Sequence, residues 1–260
     1  VLMIVHGIRA SSIDNWVKRA EERARALWPG VVTARPTYGY LSAVRFALPN
    51  VRRRYGRFFR DFYTEVLARH RNARISVLCH SNGTYALGHS LAEFNAIRLE
   101  RVALAGSVLP TQYDWTGLIN SGRVKAVRND GGDSDVPVAL LCNGLRGLLM
   151  KDVGTGGFDG FLSTSVTDVR YHKGGHGSML SDANLDSMIA FLMGRSDPLP
   201  KTRPVRPVIR MASRLMTYLA PLLIIGALAA IVASTFAWGL IGLAGAILVL
   251  LVVLVLLDIF

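Results

Sequence analysis

Ile75-Ser76-Val77-Leu78-Cys79-His80-Ser81-Asn82-Gly83-Thr84-Tyr85-Ala86-Leu87-Gly88 is the stretch from which the fold can be read. Ile75 to Cys79 is a short apolar run of the kind that forms a strand buried on both faces, and Thr84 to Gly88 opens a helical pattern. Ser81 therefore falls at a strand-to-helix junction. Two other apolar runs lead into glycine turns: Leu2 to Val5 into His6-Gly7, and Val166 to Tyr171 into Gly174-Gly175-His176-Gly177. Working outward, strands are expected near 1–5, 31–35, 75–79, 101–106, 123–128 and 167–171. Helical patterns lie between them near 14–28, 45–70, 83–97, 137–150 and 183–193. This alternation marks an α/β fold, a mostly parallel sheet of about six strands with helices on both faces. Asp14 is placed to cap the first helix, which Pro29-Gly30 ends. Gly106 to Gly122 is short and holds Pro110, so no large cap domain fits there.

The chain has 260 residues, of which 51% are hydrophobic, and a mean hydropathy of +0.33. The apolar excess is concentrated at one end. Every one of the 30 basic residues, and every acid except Asp258, lies before residue 215. Residues 1–197 are long enough for one domain with its own core. Residues 198–214 form a basic, proline-rich linker, and 215–260 divide into two apolar stretches of about 215–236 and 239–257. The net charge of +12 suits an anionic surface. A lipid surface is favoured over nucleic acid, which is not expected as a partner. Two cysteines, Cys79 and Cys142, give no disulfide framework and fit a reducing compartment. The N-terminal run is not a secretory signal by pattern. Val1 is not a methionine, which leaves both missing upstream residues and a non-standard start open.

A serine on a tight strand-to-helix turn, a histidine in a glycine-rich loop and an aspartate loop between them are the parts of nucleophilic acyl transfer. Their order along the chain resembles that of the α/β-hydrolase superfamily, over roughly Val1 to Gly194. The family's elbow pattern is G-x-S-x-G. Gly83 matches its second glycine, while Cys79 stands at the first. The resemblance implies a serine esterase, lipase or thioesterase that works through an acyl-enzyme and needs no cofactor. Ser81 is the implied nucleophile; Cys79 should still lie in the strand, where a buried thiol is inert.

His176 is the expected base, with His172 as its rival four residues earlier. His80 is expected to point elsewhere, His70 and His89 to be surface or satisfied core residues, and His6 to support its loop by hydrogen bonding. The acid should follow the strand near 123–128, where Asp130, Asp133 and Asp135 compete. Asp135 is favoured because it directly precedes the next helix; Asp133 is the alternative and Asp130 the third choice. The oxyanion donors implied are the backbone N–H groups of Asn82 and Ile8, with His6 and Gly7 shaping the second loop. No metal-ligand spacing, dinucleotide loop or P-loop is present, so no metal is expected. Gly154-Thr155-Gly156-Gly157-Phe158 is read as a mobile loop near the mouth of the site.

At about 1.5 Å per residue the two apolar stretches reach roughly 33 and 28 Å, against a hydrocarbon core of about 30 Å. Each can span a bilayer, and Trp238-Gly239 supplies a turn, so a transmembrane helical hairpin is expected. Small residues at Gly226, Ala230, Gly242 and Ala246 permit close contact within the hairpin or between protomers of a homo-oligomer. Lys201, Arg203, Arg206, Arg210 and Arg214 precede the first stretch without an acid. By the positive-inside rule the catalytic domain is cytoplasmic, at a bacterial inner membrane. On the helix from Val51 to Leu67 the stripe Val51, Tyr55, Phe58, Phe59, Phe62, Val66 opposes Arg52, Arg53, Arg54, Arg57 and Arg60. That charged face is either simply solvated or docked on anionic headgroups. The expected function is a membrane-anchored hydrolase of an ester or thioester, a small molecule or a lipid. The alternatives are a catalytically silent scaffold of the same fold and a basic membrane-surface protein that binds anionic lipid or nucleic acid.

Overall fold

The computed structural model describes residues 1–7, 15–36, 43–195 and 204–259. Its strands are β1 (Leu2–Val5), β2 (Thr33–Ala34), β3 (Ser76–His80), β4 (Leu99–Ala105), β5 (Val124–Gly132) and β6 (Val166–His172). They form one six-stranded sheet in the order β2-β1-β3-β4-β5-β6, and every pairing is parallel. Successive side chains of a strand point to opposite faces, and the sequence supplies apolar residues to both. Met3, Val5, Val77, Cys79, Val102 and Leu104 pack under α3 (Pro49–Arg69) and α4 (Asn82–Glu93). Leu2, Ile4, Leu78, Ala103 and Ala105 pack under α1 (Asn15–Leu27) and α8 (Asp182–Leu192). The two outer helices of that second layer are clipped together, Arg19 to Asp182 at 2.6 Å and Arg23 to both Asp182 and Asp186. Helices thus cover both faces of a parallel sheet, and the loops after β3, β4, β5 and β6 emerge side by side at one edge.

Several elements differ from the sequence expectation. The helix expected over 45–70 is two, α2 (Ala43–Ala47) and α3, because Pro49 drives Leu48 into an extended conformation (φ −83°, ψ 114°). The helix expected over 137–150 is a π-helical turn, Pro137–Cys142, followed by α6 (Asn143–Gly147). Strand β5 runs on to Gly132, where it pairs with His172 of β6, so Asp130 lies inside the sheet rather than in the loop after it. Gly154 to Phe158 is not an exposed loop: it is buried against the strand ends and leads into α7 (Gly156–Asp159). Gly156 and Gly157 donate backbone hydrogen bonds to Leu109 and Ser107. The glycines serve close packing of backbone there. A further short helix, α5 (Trp115–Asn120), covers β5.

Arg52, expected on the exposed basic face of α3, is fully buried. Its guanidinium meets both oxygens of Asp152, at 3.0 and 2.6 Å, and donates to the carbonyls of Phe46 and Ala47. A bidentate carboxylate together with helix-end carbonyls satisfies the charge, which is what burial requires. Burial alone would raise the Asp152 carboxyl, but Arg52 and the Tyr85 hydroxyl outweigh it and hold Asp152 below the usual carboxylate range.

The last helix, α9 (Pro207–Ile259), begins inside the segment expected to be linker. Its first turns are packed on the domain: Ser213 is buried, donates to the Ala139 carbonyl and accepts from Asn143, each at 2.7 Å. The Arg206 N–H bonds to the carbonyl of Asp133 at 3.0 Å. Helical geometry is interrupted at Gly239 (φ 58°, ψ −142°), and the Ser234 hydroxyl donates to the Gly242 carbonyl across the break. Pro207–Gly239 is long and apolar enough to cross a membrane, with a mean hydropathy of 2.3 over an 18-residue window of which none is buried.

Candidate active site

Strand β3 delivers Ser81 into a backbone conformation that side chains rarely adopt, φ 54° and ψ −123°. Such strain persists only where the surroundings enforce it. Here the Ser81 N–H is bonded to the carbonyl of Ala105 at the end of β4, and the Ser81 carbonyl accepts from the N–H and hydroxyl of Thr84 in α4. Gly83 lies so close to β1 that a Cβ would stand 2.6 Å from the Val5 carbonyl oxygen. The turn therefore closes only with glycine two residues after the serine. Cys79, two residues before it, is fully buried, and burial pushes its thiol pKa up, away from reactivity. Asn82 opens α4, so its backbone N–H lies at the positive end of that helix. Ile8, and Asp14 as the expected helix cap, lie outside the described residues. His6 is buried, and its Nδ1 is 3.0 Å from the Gly7 carbonyl.

The loop after β6 brings His176 to the same edge. Its Nδ1 is 2.8 Å from Asp135 Oδ2, and Asp135 is fully buried. The other carboxylate oxygen accepts the backbone N–H of Val138, 3.1 Å away, in the π-helical turn. Because a carboxylate only accepts, Nδ1 is the protonated nitrogen and Nε2 carries the lone pair. Asp133 does something different. Its Oδ1 accepts the Gly174 N–H at 3.0 Å and the Ser134 hydroxyl at 2.7 Å, which fastens the histidine loop to the acid loop. Asp130 is committed inside the sheet, held by both ends of the Arg128 guanidinium and by His172 Nε2 at 2.8 Å. Burial would raise its pKa, but those two partners outweigh it and keep the carboxyl low. His172, the rival base, is occupied by that bond.

Ser81 and His176 both adjoin the end of β4. Gly106, next to the Ala105 that holds Ser81, has φ 56°, and a Cβ on it would stand 2.9 Å from His176 Cε1 and 3.3 Å from Asp135 Oδ2. The histidine–aspartate pair thus lies against a glycine adjacent to the residue that holds the serine turn. Among the described residues no hydrogen bond joins the Ser81 hydroxyl to His176. In unliganded sites that contact is commonly long and tightens with substrate.

His80 does not point away from the site. Its Nε2–H donates to the His176 carbonyl at 3.1 Å, and the two rings stand 4.7 Å apart. Trp16 covers another edge of the ring. Burial, then the neighbouring His176, push the His80 pKa down to about 3, so it is neutral wherever the fold is intact. An unfolded chain takes up a proton near pH 6.5 and the native state does not. Stability linked to His80 is therefore full above that pH and drains as pH falls toward 3. Between pH 7 and 4 this amounts to up to about 3 kcal/mol. Thermal unfolding of the detergent-solubilised full chain should show that loss, and His80→Gln, which keeps a donor for the His176 carbonyl, should remove it. An unchanged pH slope in the variant would refute the assignment.

No motif marks His80 or Gly106 in the sequence. The available signal is weak: a glycine directly after a buried strand that neighbours the elbow strand. Among the described residues no three His, Cys, Asp or Glu side chains converge as metal ligands would.

No protein-family model matches the chain, and no curated protein does. Solved structures do resemble it. A protein from Xanthomonas campestris pv. campestris, named for the alpha/beta superfamily of hydrolases, is 17% identical over 74% of this chain and 98% of its own, with a TM-score of 0.47. A Thermus thermophilus protein is 16% identical over 74% and 87%, with a TM-score of 0.46. A cutinase-like protein from Cryptococcus sp. is 17% identical over 75% and 95%, with a TM-score of 0.43. At these identities the likeness concerns the fold alone.

Proposed function

We propose that the chain is a membrane-anchored serine hydrolase that cleaves an ester or thioester through an acyl-enzyme. The observation that carries this is the 2.8 Å His176–Asp135 pair laid over Gly106, beside a strained turn that presents Ser81. In the proposed reaction His176 Nε2 takes the proton of the Ser81 hydroxyl as its oxygen attacks the carbonyl carbon. Asp135 holds the tautomer and stabilises the imidazolium that forms. The Asn82 N–H, with Ile8 as the proposed second donor, receives the oxyanion, each such donor being worth on the order of 3 kcal/mol. His176 then returns the proton to the leaving alcohol or thiol, and water, activated by the same nitrogen, releases the acid. Nothing in this sequence calls for a cofactor.

The anchor is α9. Arg206, Arg210 and Arg214 precede its uncharged stretch, which supports a cytoplasmic catalytic domain. The break at Gly239 and the Ser234–Gly242 contact support a second crossing, and so a hairpin. With the enzyme fixed at a bilayer, an ester or thioester that partitions into lipid is the favoured substrate.

The test is turnover by the full chain in membranes, against acyl esters and acyl thioesters of graded chain length. Hydrolysis that a fluorophosphonate blocks is expected. Absence of turnover and of inhibitor uptake by folded protein would favour the silent scaffold. Gly106→Ala probes the geometry further, since its Cβ would displace the His176 ring. A fall in kcat of about a hundredfold with little change in KM is expected from a misplacement of about 1 Å. Unaltered kcat in a folded variant would show that His176 does not use this position.

A further inference from the structure

We infer that the loop after α6 is a second membrane contact, in which Leu149 enters the bilayer beside α9 while Arg53 and Lys151 hold an anionic lipid headgroup. The inference rests on the proposed anchoring through α9 and adds a site that fixes how the domain sits on the surface. Helix α6 ends in a paired cap: the Met150 N–H bonds to the Leu145 carbonyl and the Leu149 N–H to the Arg146 carbonyl, both at 3.0 Å. This cap puts its penultimate residue in the left-handed region, where glycine is the usual occupant. Here that residue is Leu149, at φ 66°, with 81% of its surface exposed. A strained backbone that holds a large apolar side chain out into solvent gains nothing for the fold.

The contacts of α6 give Leu149 its height relative to the membrane. Asn143 bonds to Ser213, and four residues on a Cβ at Gly147 would meet the Thr217 carbonyl oxygen at 2.1 Å. Gly144 faces Met216 and Ala220, so α6 crosses α9 over residues 213–220. Leu149, two residues after Gly147, is thereby held near the level of Thr217, past Arg214, the last charge before the apolar stretch. Leu149 therefore stands where α9 leaves the domain and exposes Tyr218, Leu222 and Leu223.

Beside it lies a cavity of about 330 Å³ lined by Pro49, Arg53, Leu149, Met150, Lys151 and Asp152, with Arg52 in its wall. The Arg52–Asp152 pair cancels its own charge. Arg53 and Lys151 are exposed, and neither makes an ion pair among the described residues. Two cations around a cavity at the apolar–polar boundary, with an apolar side chain on its rim, match a phospholipid: phosphate in the cavity and acyl chains against Leu149. Charge complementarity and continuity with α9 select a lipid surface over a protein partner.

The test uses the full chain in phosphatidylcholine vesicles with and without phosphatidylglycerol. A polarity-sensitive fluorophore is attached to Leu149→Cys, to Phe236→Cys in the apolar stretch, and to Asn72→Cys, exposed before β3 at the opposite edge of the sheet. The two native cysteines are buried and free, with thiols that burial makes unreactive, so only the introduced thiol takes the label. A nitroxide lipid spin-labelled near the headgroup then serves as quencher, with a mid-chain nitroxide for position 236. Strong quenching at 149, none at 72, and greater quenching at 149 when phosphatidylglycerol is present are expected. Arg53→Gln with Lys151→Gln should bring the 149 signal in anionic vesicles down to its level in neutral ones. Quenching at 236 but not at 149 overturns this inference and leaves the anchor standing; no quenching at 236 overturns the anchor. A 149 signal indifferent to phosphatidylglycerol and to the double variant overturns the headgroup site.

Discussion

Ser81→Ala is expected to lower kcat by about 10⁴- to 10⁶-fold, with whatever remains coming from the oxyanion donors and substrate binding. The hydroxyl is the only atom removed that the proposed reaction uses. The turn itself is held by backbone bonds, from the Ser81 N–H to Ala105 and from Thr84 to the Ser81 carbonyl, and alanine leaves both in place. The variant should therefore fold and bind substrate with a similar KM. Progress curves on the best ester or thioester, with circular dichroism as the folding control, check this. Activity within tenfold of the parent would mean that another residue is the nucleophile.

Asp135→Asn is the second large effect, about 10⁴-fold in kcat. An amide at this position presents a donor or a neutral acceptor to His176 Nδ1, so the imidazole loses the partner that fixes its tautomer and balances its charge. Asp133→Asn is the informative comparison. Asp133 accepts from Gly174 and Ser134, bonds that an asparagine oxygen can keep, while His176 Nδ1 is held by Asp135. A loss of tenfold or less is expected, expressed more in stability than in kcat. Steady-state rates of the two variants side by side decide between the carboxylates, and equal large losses would contradict the assignment of Asp135.

Much of this arrangement can be read from short-range chemistry. Apolar runs such as Leu2 to Val5 and Ser76 to Cys79 announce strands buried on both faces, and Ser81 with Gly83 announces the tight turn because only a small residue fits against Val5. Asp135 is legible because it stands just before Pro137, where a helix must start and a carboxylate can cap it. What the sequence hides depends on partners distant along the chain. Arg52 looks like one more member of a basic face, and only Asp152, brought by a different loop, makes its burial affordable. His80 looks incidental until β6 brings His176 against it. Asp130 looks like a loop acid, because the extension of β5 depends on β6 pairing beyond residue 128. The docking of residues 205–213 is hidden in the same way, since prolines and arginines read as an open linker while Ser213 finds its partners in Ala139 and Asn143.

The most direct measurement is to treat the full chain in membranes with a fluorophosphonate and map the adduct by peptide mass spectrometry. One phosphonyl group on Ser81, absent from Ser81→Ala and strongly slowed in Asp135→Asn, is the predicted result. Folded protein that takes up no reagent, or that carries it on another residue, would contradict the claim that Ser81 is an activated nucleophile.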